Sequence, residues 1–227
     1  MRGAMTPDAS SPALAAPTVP VPDLIIALAA STGGLPALVA ALGPLPRGFP
    51  AVVLVVQHLS ASYPSRLADI LGWHLALPVI WGRDGAPLQP KAVAVAPPGA
   101  HLLVMDTGRL SLSDGPRIHR VRPAADLLFA SVAAYAGARA IGVVLSGLGC
   151  DGAAGACAIV QAGGRVVAQD ATTSEAFAMP GAAIAAGGVK YVVPVTAIAP
   201  TLLALARARA VWPERRSCDM RHRTERR

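Results

Sequence analysis

Aromatic side chains are scarce in this chain, with three Phe, three Trp and three Tyr among 227 residues. Because 53% of residues are nonetheless hydrophobic, burial must rest on Ala, Val, Leu and Ile, as in a compact α/β protein. Cysteine is sparse too: Cys150, Cys157 and Cys218 form an odd set with no histidines at metal-ligand spacing. That excludes a disulfide framework and predicts a reducing cytoplasm and no bound metal. No apolar run is long enough to span a bilayer, so membrane insertion is not expected. The opening segment, Met1 to Pro22, is rich in Pro, Ala and Ser and lacks the unbroken apolar core of a signal peptide. Residues 1–21 therefore read as a disordered leader. There is no GxxxxGK[ST], which leaves a P-loop nucleotide site unsupported. Zinc-finger, RRM and KH signatures are missing as well, so no nucleic acid partner is expected. The net charge of +7 owes about +3 to the tail after Trp212, where six arginines face three acids. Residues 211–227 read as a basic, solvated, disordered tail.

What is present is organised around residues 23–42. An apolar run from Leu24 stops at Ser31-Thr32-Gly33-Gly34, and Leu35, Leu38, Val39 and Leu42 then follow at helical spacing. This is strand, glycine turn, helix. At the carboxyl edge of a parallel sheet, such a turn presents Ser31 beside unpaired helix-terminal N–H groups suited to an anion or a developing oxyanion.

A second buried strand, 51–56, ends at Gln57-His58, and the helix-length crossover before it predicts parallel pairing. Residues 63–75 have helical spacing. The short runs PVIW, AVAVAP, HLLVM and RLSL predict an antiparallel middle part at the edge of the main sheet, with a hairpin around Asp106-Thr107-Gly108. Further expectations are a helix over 124–137, a strand over 138–147 and a helix from Asp151 or Gly152 to Gly163-Gly164. A strand at 165–170, a short helix from Met179 to Ala186, the strand YVVPV and a closing helix over 197–210 complete one domain, residues 22–210. No internal repeat is evident.

Ser31, His58 and Asp151 end three strand-like runs, a geometry for nucleophile, base and orienting acid. Each has a blander reading: Ser31 and Asp151 as helix caps, His58 as a hydrogen-bonded surface or half-buried residue. Cys150 is not expected to act as a rival nucleophile, because no residue in the sequence points to a base beside it. The basic group Arg117, His119, Arg120 and Arg122 reads as a solvated loop, with contact to acidic helices as the functional alternative. Met179-Pro180 reads as the start of a packing helix beside the active edge.

The segments AASTGGLPAL, VVQHL, DGAPLQP, APPGAHLLV, GVVLSGLGCDGAAG, AGGRVVAQD and AMPGAA, in this order, resemble the catalytic domain of the chemotaxis protein-glutamate methylesterase, or CheB, family over roughly residues 22–208. The resemblance implies a doubly wound α/β fold with a mostly parallel sheet flanked by helices, and a small antiparallel hairpin at its edge. It implies hydrolysis of glutamate methyl esters, and deamidation of glutamines, on the cytoplasmic helices of methyl-accepting chemoreceptors. It also assigns Ser31, His58 and Asp151 as catalytic residues, with main-chain N–H groups of Thr32 and Leu148 as the oxyanion hole, and no cofactor. The chain departs from the family pattern at Ala29 (commonly Gly), Leu148 (commonly Met) and Cys150 (a polar residue, often Asn). About twenty residues precede the first strand, too few for the receiver domain that family members carry. A stand-alone catalytic domain, active without phosphorylation in cis and open to a separate regulatory protein, is the expectation. A non-enzymatic binding module on the same fold is the alternative.

Overall fold

The computed structural model describes residues 22–210, leaving aside the side chains of 209 and 210. The expected leader and basic tail lie outside the described residues. Seven strands form one parallel sheet: β1 (Ile25–Ala30), β2 (Val52–Gln57), β3 (Val79–Trp81), β4 (Ala92–Val95), β7 (Ala140–Val144), β8 (Arg165–Gln169) and β9 (Tyr191–Val193). Their order is β3-β4-β2-β1-β7-β8-β9. The remaining pair, β5 (His101–Val104) and β6 (Leu110–Ser113), is an antiparallel hairpin.

Strand β1 is central, and all six of its residues are fully buried. Side chains on a strand alternate between faces, so β1 feeds two cores. Ile26, Leu28 and Ala30 join α1 (Gly34–Leu42), α2 (Leu67–His74) and α6 (Val195–Ala210) through Leu38, Leu42, Leu71, Ile198 and Leu202. Ile25, Ala27 and Ala29 face α3 (Ala125–Ala136), α4 (Ala153–Gln161) and α5 (Ala178–Ala185) through Phe129, Val132, Ile159 and Met179. Helices on both faces explain why the strands are continuously apolar rather than alternating. The hairpin packs into the second core through Leu102, Val104 and Leu110.

One expectation needs correction. Strands β3 and β4 are not antiparallel; they pair in parallel with each other, and β4 pairs in parallel with β2. The ten-residue connection between them, 82–91, contains no helix, and a parallel crossover usually requires a dozen residues or more. A short link around Asp84-Gly85 therefore reads as a hairpin in sequence, although only β5 and β6 form one. The strand expected over 138–147 is also shorter, because Gly137–Arg139 form a 3-10 turn and the chain leaves the ladder after Val144 to build the site.

Helices α3 and α4 cross closely at Gly155, where a Cβ would lie 2.5 Å from Phe129 Cβ and 3.1 Å from the Asp126 backbone. At Gly72, on the exposed side of α2, a Cβ would meet nothing within 4 Å. Adding the same methyl group should therefore have opposite effects. We predict that Gly155→Ala destabilises by about 1–3 kcal/mol through overpacking. Gly72→Ala should stabilise by about 0.5–1 kcal/mol, by lowering the entropy of the unfolded chain and raising helix propensity. Urea unfolding midpoints of the two variants measure this, and shifts of the same sign would contradict it.

Candidate active site

The sheet order reverses at β1: the chain builds outward through β2 and β4 on one side, then returns to β7 on the other. Ligands bind at such switch points, beyond the carboxyl ends of the strands. Ser31 follows β1 directly. In the parallel register Ala30 pairs with Gln57, which sets Ser31 beside His58 on neighbouring strands spaced about 4.8 Å apart. The His58 N–H donates to Ala30 O at 3.0 Å, and the Ser31 N–H donates to Ser146 O at 2.9 Å. The ends of β2, β1 and β7 are thus laced together.

Asp151 comes from the loop after β7. Its Oδ2 lies 2.8 Å from His58 Nε2. Since β1 lies between β2 and β7, this contact passes over the end of β1, where Ser31 sits. The carboxylate leaves Nδ1 as the basic nitrogen of the neutral imidazole, and Nδ1 has no hydrogen-bond partner among the described residues. The Ser31 hydroxyl and the main-chain N–H groups of Thr32 and Leu148 likewise have none among the described residues. Side chains bordering this edge are half-buried at Ser31 and His58, whereas Leu148 is exposed.

Of the blander readings, the cap at Ser31 fails, Asp151 caps a helix other than the one it precedes, and His58 is half-buried and hydrogen-bonded. Helix α1 starts after Gly33, which is left-handed at φ 69°, and it has no side-chain cap, so Ser31 is not its cap. Helix α4 follows Gly152, again without a side-chain cap from its own approach. Asp151 instead serves a different helix. Its Oδ2 accepts the Ala125 N–H at 2.6 Å and its Oδ1 accepts the Asp126 N–H at 3.0 Å, both in the first turn of α3. Asp126 returns the exchange, its Oδ1 accepting the N–H groups of Gly152 (3.0 Å) and Gly155 (2.8 Å) at the start of α4. Each carboxylate therefore fills the donor positions that the other helix leaves open.

Four polar residues of this edge were not singled out by residue pattern alone. Gln57 is buried, and its Nε2 donates to Ser31 O at 2.8 Å and to His58 O at 3.4 Å, tying the two backbones together. Its Oε1 sits against Gly34, where a Cβ would come within 2.1 Å, so the second glycine of Ser31-Thr32-Gly33-Gly34 is required by Gln57. Ser146 is buried; its hydroxyl donates to Thr32 O at 2.7 Å and accepts the Ala176 N–H at 2.9 Å. Gln169 accepts the Ser146 N–H at 2.9 Å through Oε1 and donates to Thr173 O at 2.7 Å. Asp126 is the fourth. Gln57, Ser146 and Gln169 share a signal that was present in the sequence: each is a polar residue at or just past the end of an apolar strand. Met179 is fully buried in the second core, as its packing role required.

The basic group before α3 is more ordered than a solvated loop. Ile118 and Val121 form a bridge that holds His119 and Arg120 at positive φ. Arg122 donates to the carbonyls of Asp114 and Gly115, while Arg117 and Arg120 are exposed. His119 Nε2 lies 2.9 Å from Asp126 Oδ2, and its Nδ1 lies 3.7 Å from Cys150 Sγ. The expectation that no base stands beside Cys150 is therefore overturned. The histidine is 31 residues away in the chain, so only the fold brings the two together.

Burial works to raise the Asp151 carboxyl above its ordinary value of 3.8. The hydrogen bonds from His58 and from the Ala125 and Asp126 N–H groups outweigh it, aided by the charge of His58, and hold the group below that value. A carboxyl whose native value is depressed stabilises the fold above its unfolded value, and this contribution is lost as pH falls through the native one. We predict that the stability difference between wild type and Asp151→Asn is largest near neutral pH and shrinks as the pH drops below 3.8. Melting temperatures of both proteins across an acid series test the sign; a difference that grows on acidification would contradict it.

Fold and site together define a doubly wound α/β protein with a polar centre at its switch point, where Ser31, His58 and Asp151 end neighbouring strands or follow them. The CheB methylesterase family model matches residues 26–202, and the chain belongs to this family. It is 50% identical over 130 residues to protein-glutamate methylesterase/protein-glutamine glutaminase 1 of Myxococcus xanthus, covering 56% of this chain and 38% of that protein. To protein-glutamate methylesterase/protein-glutamine glutaminase 2 of Xanthomonas oryzae pv. oryzae it is 41% identical over 149 residues, covering 64% and 42%. The chain thus matches about two-fifths of the length of these relatives. The crystal structure of the Thermotoga maritima CheB methylesterase catalytic domain superposes with a TM-score of 0.77 at 34% identity, covering 80% of this chain and 98% of that one.

Proposed function

We propose that the chain hydrolyses the γ-methyl esters of glutamate residues on the cytoplasmic helices of chemoreceptors. The observation that carries this reading is the 2.8 Å contact between His58 and Asp151 across the strand end that bears Ser31. The names of the Myxococcus and Xanthomonas relatives supply the substrate class.

In this mechanism Ser31 Oγ attacks the ester carbonyl carbon while its proton passes to His58 Nδ1. The Nε2–H of the resulting imidazolium stays on Asp151, whose charge stabilises it. The oxyanion of the tetrahedral intermediate takes the free N–H groups of Thr32 and Leu148. Collapse breaks the C–O bond to the methoxy group, which leaves as methanol with the proton from His58. Water, deprotonated by His58 Nδ1, then attacks the acyl-enzyme and releases the glutamate carboxylate and Ser31. The same steps with ammonia as leaving group deamidate glutamine. No step requires a metal or a cofactor.

Gln57 and Ser146 are positioning residues here, because they hold the backbones of Ser31, Thr32 and His58 rather than touching substrate. The loop carrying exposed Arg117 and Arg120 borders the site through His119, and it offers positive charge to a glutamate-rich helix. Such steering weakens with salt.

The test is methanol release from methylated receptor membranes by wild type and Ser31→Ala. Release should fall by a factor on the order of 10^4 or more in the variant, with its circular dichroism unchanged. No release from folded wild type, or equal release from both proteins, would overturn the proposal.

A further inference from the structure

Beside the Ser31 site stands a second chain of nucleophile, base and acid that the proposed ester hydrolysis does not use. Cys150 Sγ lies 3.7 Å from His119 Nδ1, and His119 Nε2 lies 2.9 Å from Asp126 Oδ2. The order matches that of an activated thiol: the carboxylate accepts the Nε2–H and leaves Nδ1, facing sulfur, as the basic nitrogen. Asp126 does not owe its position to His119, because its other oxygen is anchored on the Gly152 and Gly155 N–H groups. His119 lies within the turn closed by the Ile118–Val121 bridge. Both reacting side chains are open to solvent, His119 at 42% and Cys150 also exposed. Cys157 differs on each count: it is half-buried, and its thiol donates to the Ala186 carbonyl at 3.2 Å.

We propose that Cys150 is a thiol-modification site, activated by His119 and Asp126, that reacts with hydroperoxides. His119 Nδ1 takes the thiol proton. The thiolate attacks the distal peroxide oxygen, an S–O bond forms and the O–O bond breaks. The departing alkoxide or hydroxide takes the proton from His119 and leaves as alcohol or water. Sulfur is oxidised by two electrons to the sulfenic acid and the peroxide is reduced by two. The acceptor atoms of Asp126 and Asp151 and a ring nitrogen of His119 all lie within 4.8 Å of one another, so the modified sulfur sits next to the hydrolytic site. The proposal does not depend on that site's being a hydrolase.

The test uses the full chain, reduced and then treated with iodoacetamide at neutral pH, with peptide mass spectrometry resolving each cysteine. Cys150 should alkylate roughly tenfold faster than a free cysteine peptide, and His119→Gln should return it to the free rate while leaving circular dichroism unchanged. After brief treatment with hydrogen peroxide, dimedone should label Cys150 in wild type roughly tenfold more than in His119→Gln. Alkylation of Cys150 at the free rate, or equal reactivity with and without His119, would overturn the proposal.

Discussion

Two carboxylates exchanged between helices hold this centre together. Helices α3 and α4 both begin without a side-chain cap from their own approach residues, Ala124 and Gly152. Their first N–H groups are buried and require acceptors. Asp151, just before α4, supplies them to α3; Asp126, in the first turn of α3, supplies them to α4. Charge-assisted bonds of this kind are each worth about 1.5–3 kcal/mol, and the positive ends of the helices favour the buried charge. The close crossing at Gly155 is what makes the exchange possible, since it brings the two helix starts within reach of each other's side chains. Asp151 is thus fixed by α3 before His58 adds anything.

That independence matters for chemistry. A base aligned by a carboxylate is useful only if the carboxylate does not itself move. Here two main-chain N–H groups of α3 hold it, and Oδ2 still faces the imidazole. The same economy recurs around Ser31. Its carbonyl is held by Gln57, its N–H by the Ser146 carbonyl, and the next carbonyl by the Ser146 hydroxyl. The hydroxyl, the Thr32 N–H and the Leu148 N–H are left unbonded among the described residues. The frame of this strand end is satisfied while these groups stay open, which is the preorganisation that the proposed hydrolysis needs.

The family relationship covers the described fold almost completely, and the Thermotoga maritima catalytic domain is nearly all contained in it. Against that shared frame, Cys150 and His119 stand out as a second ordered group built on the same pair of helix starts. Asp126 links the two: one oxygen completes the cap of α4 and the other faces His119. A single exchange of carboxylates therefore holds two neighbouring histidines, His58 through Asp151 and His119 through Asp126.

Local pattern was sufficient for the strands, for most helices and for the carboxyl-edge placement of Ser31, His58 and Asp151. Apolar runs ending in glycine turns report burial and direction directly, because burial and backbone turning are set by nearest neighbours along the chain. The parallel β3–β4 pair was not legible, since a short connection carries the same local signal whether its strands run together or opposed. Nor were the partners of single polar residues. Asp151 reads as a cap from its position before Gly152, and it is one, but for a helix that starts 26 residues earlier. Cys150 reads as solitary because its base is 31 residues away, on a turn whose positive φ angles are held by a bridge. Residue type and spacing determined which groups reach the edge of the sheet. Only the packing of α3 against α4 decided which of them face one another, because that contact depends on the angle and closeness of two helices and not on any local run of sequence.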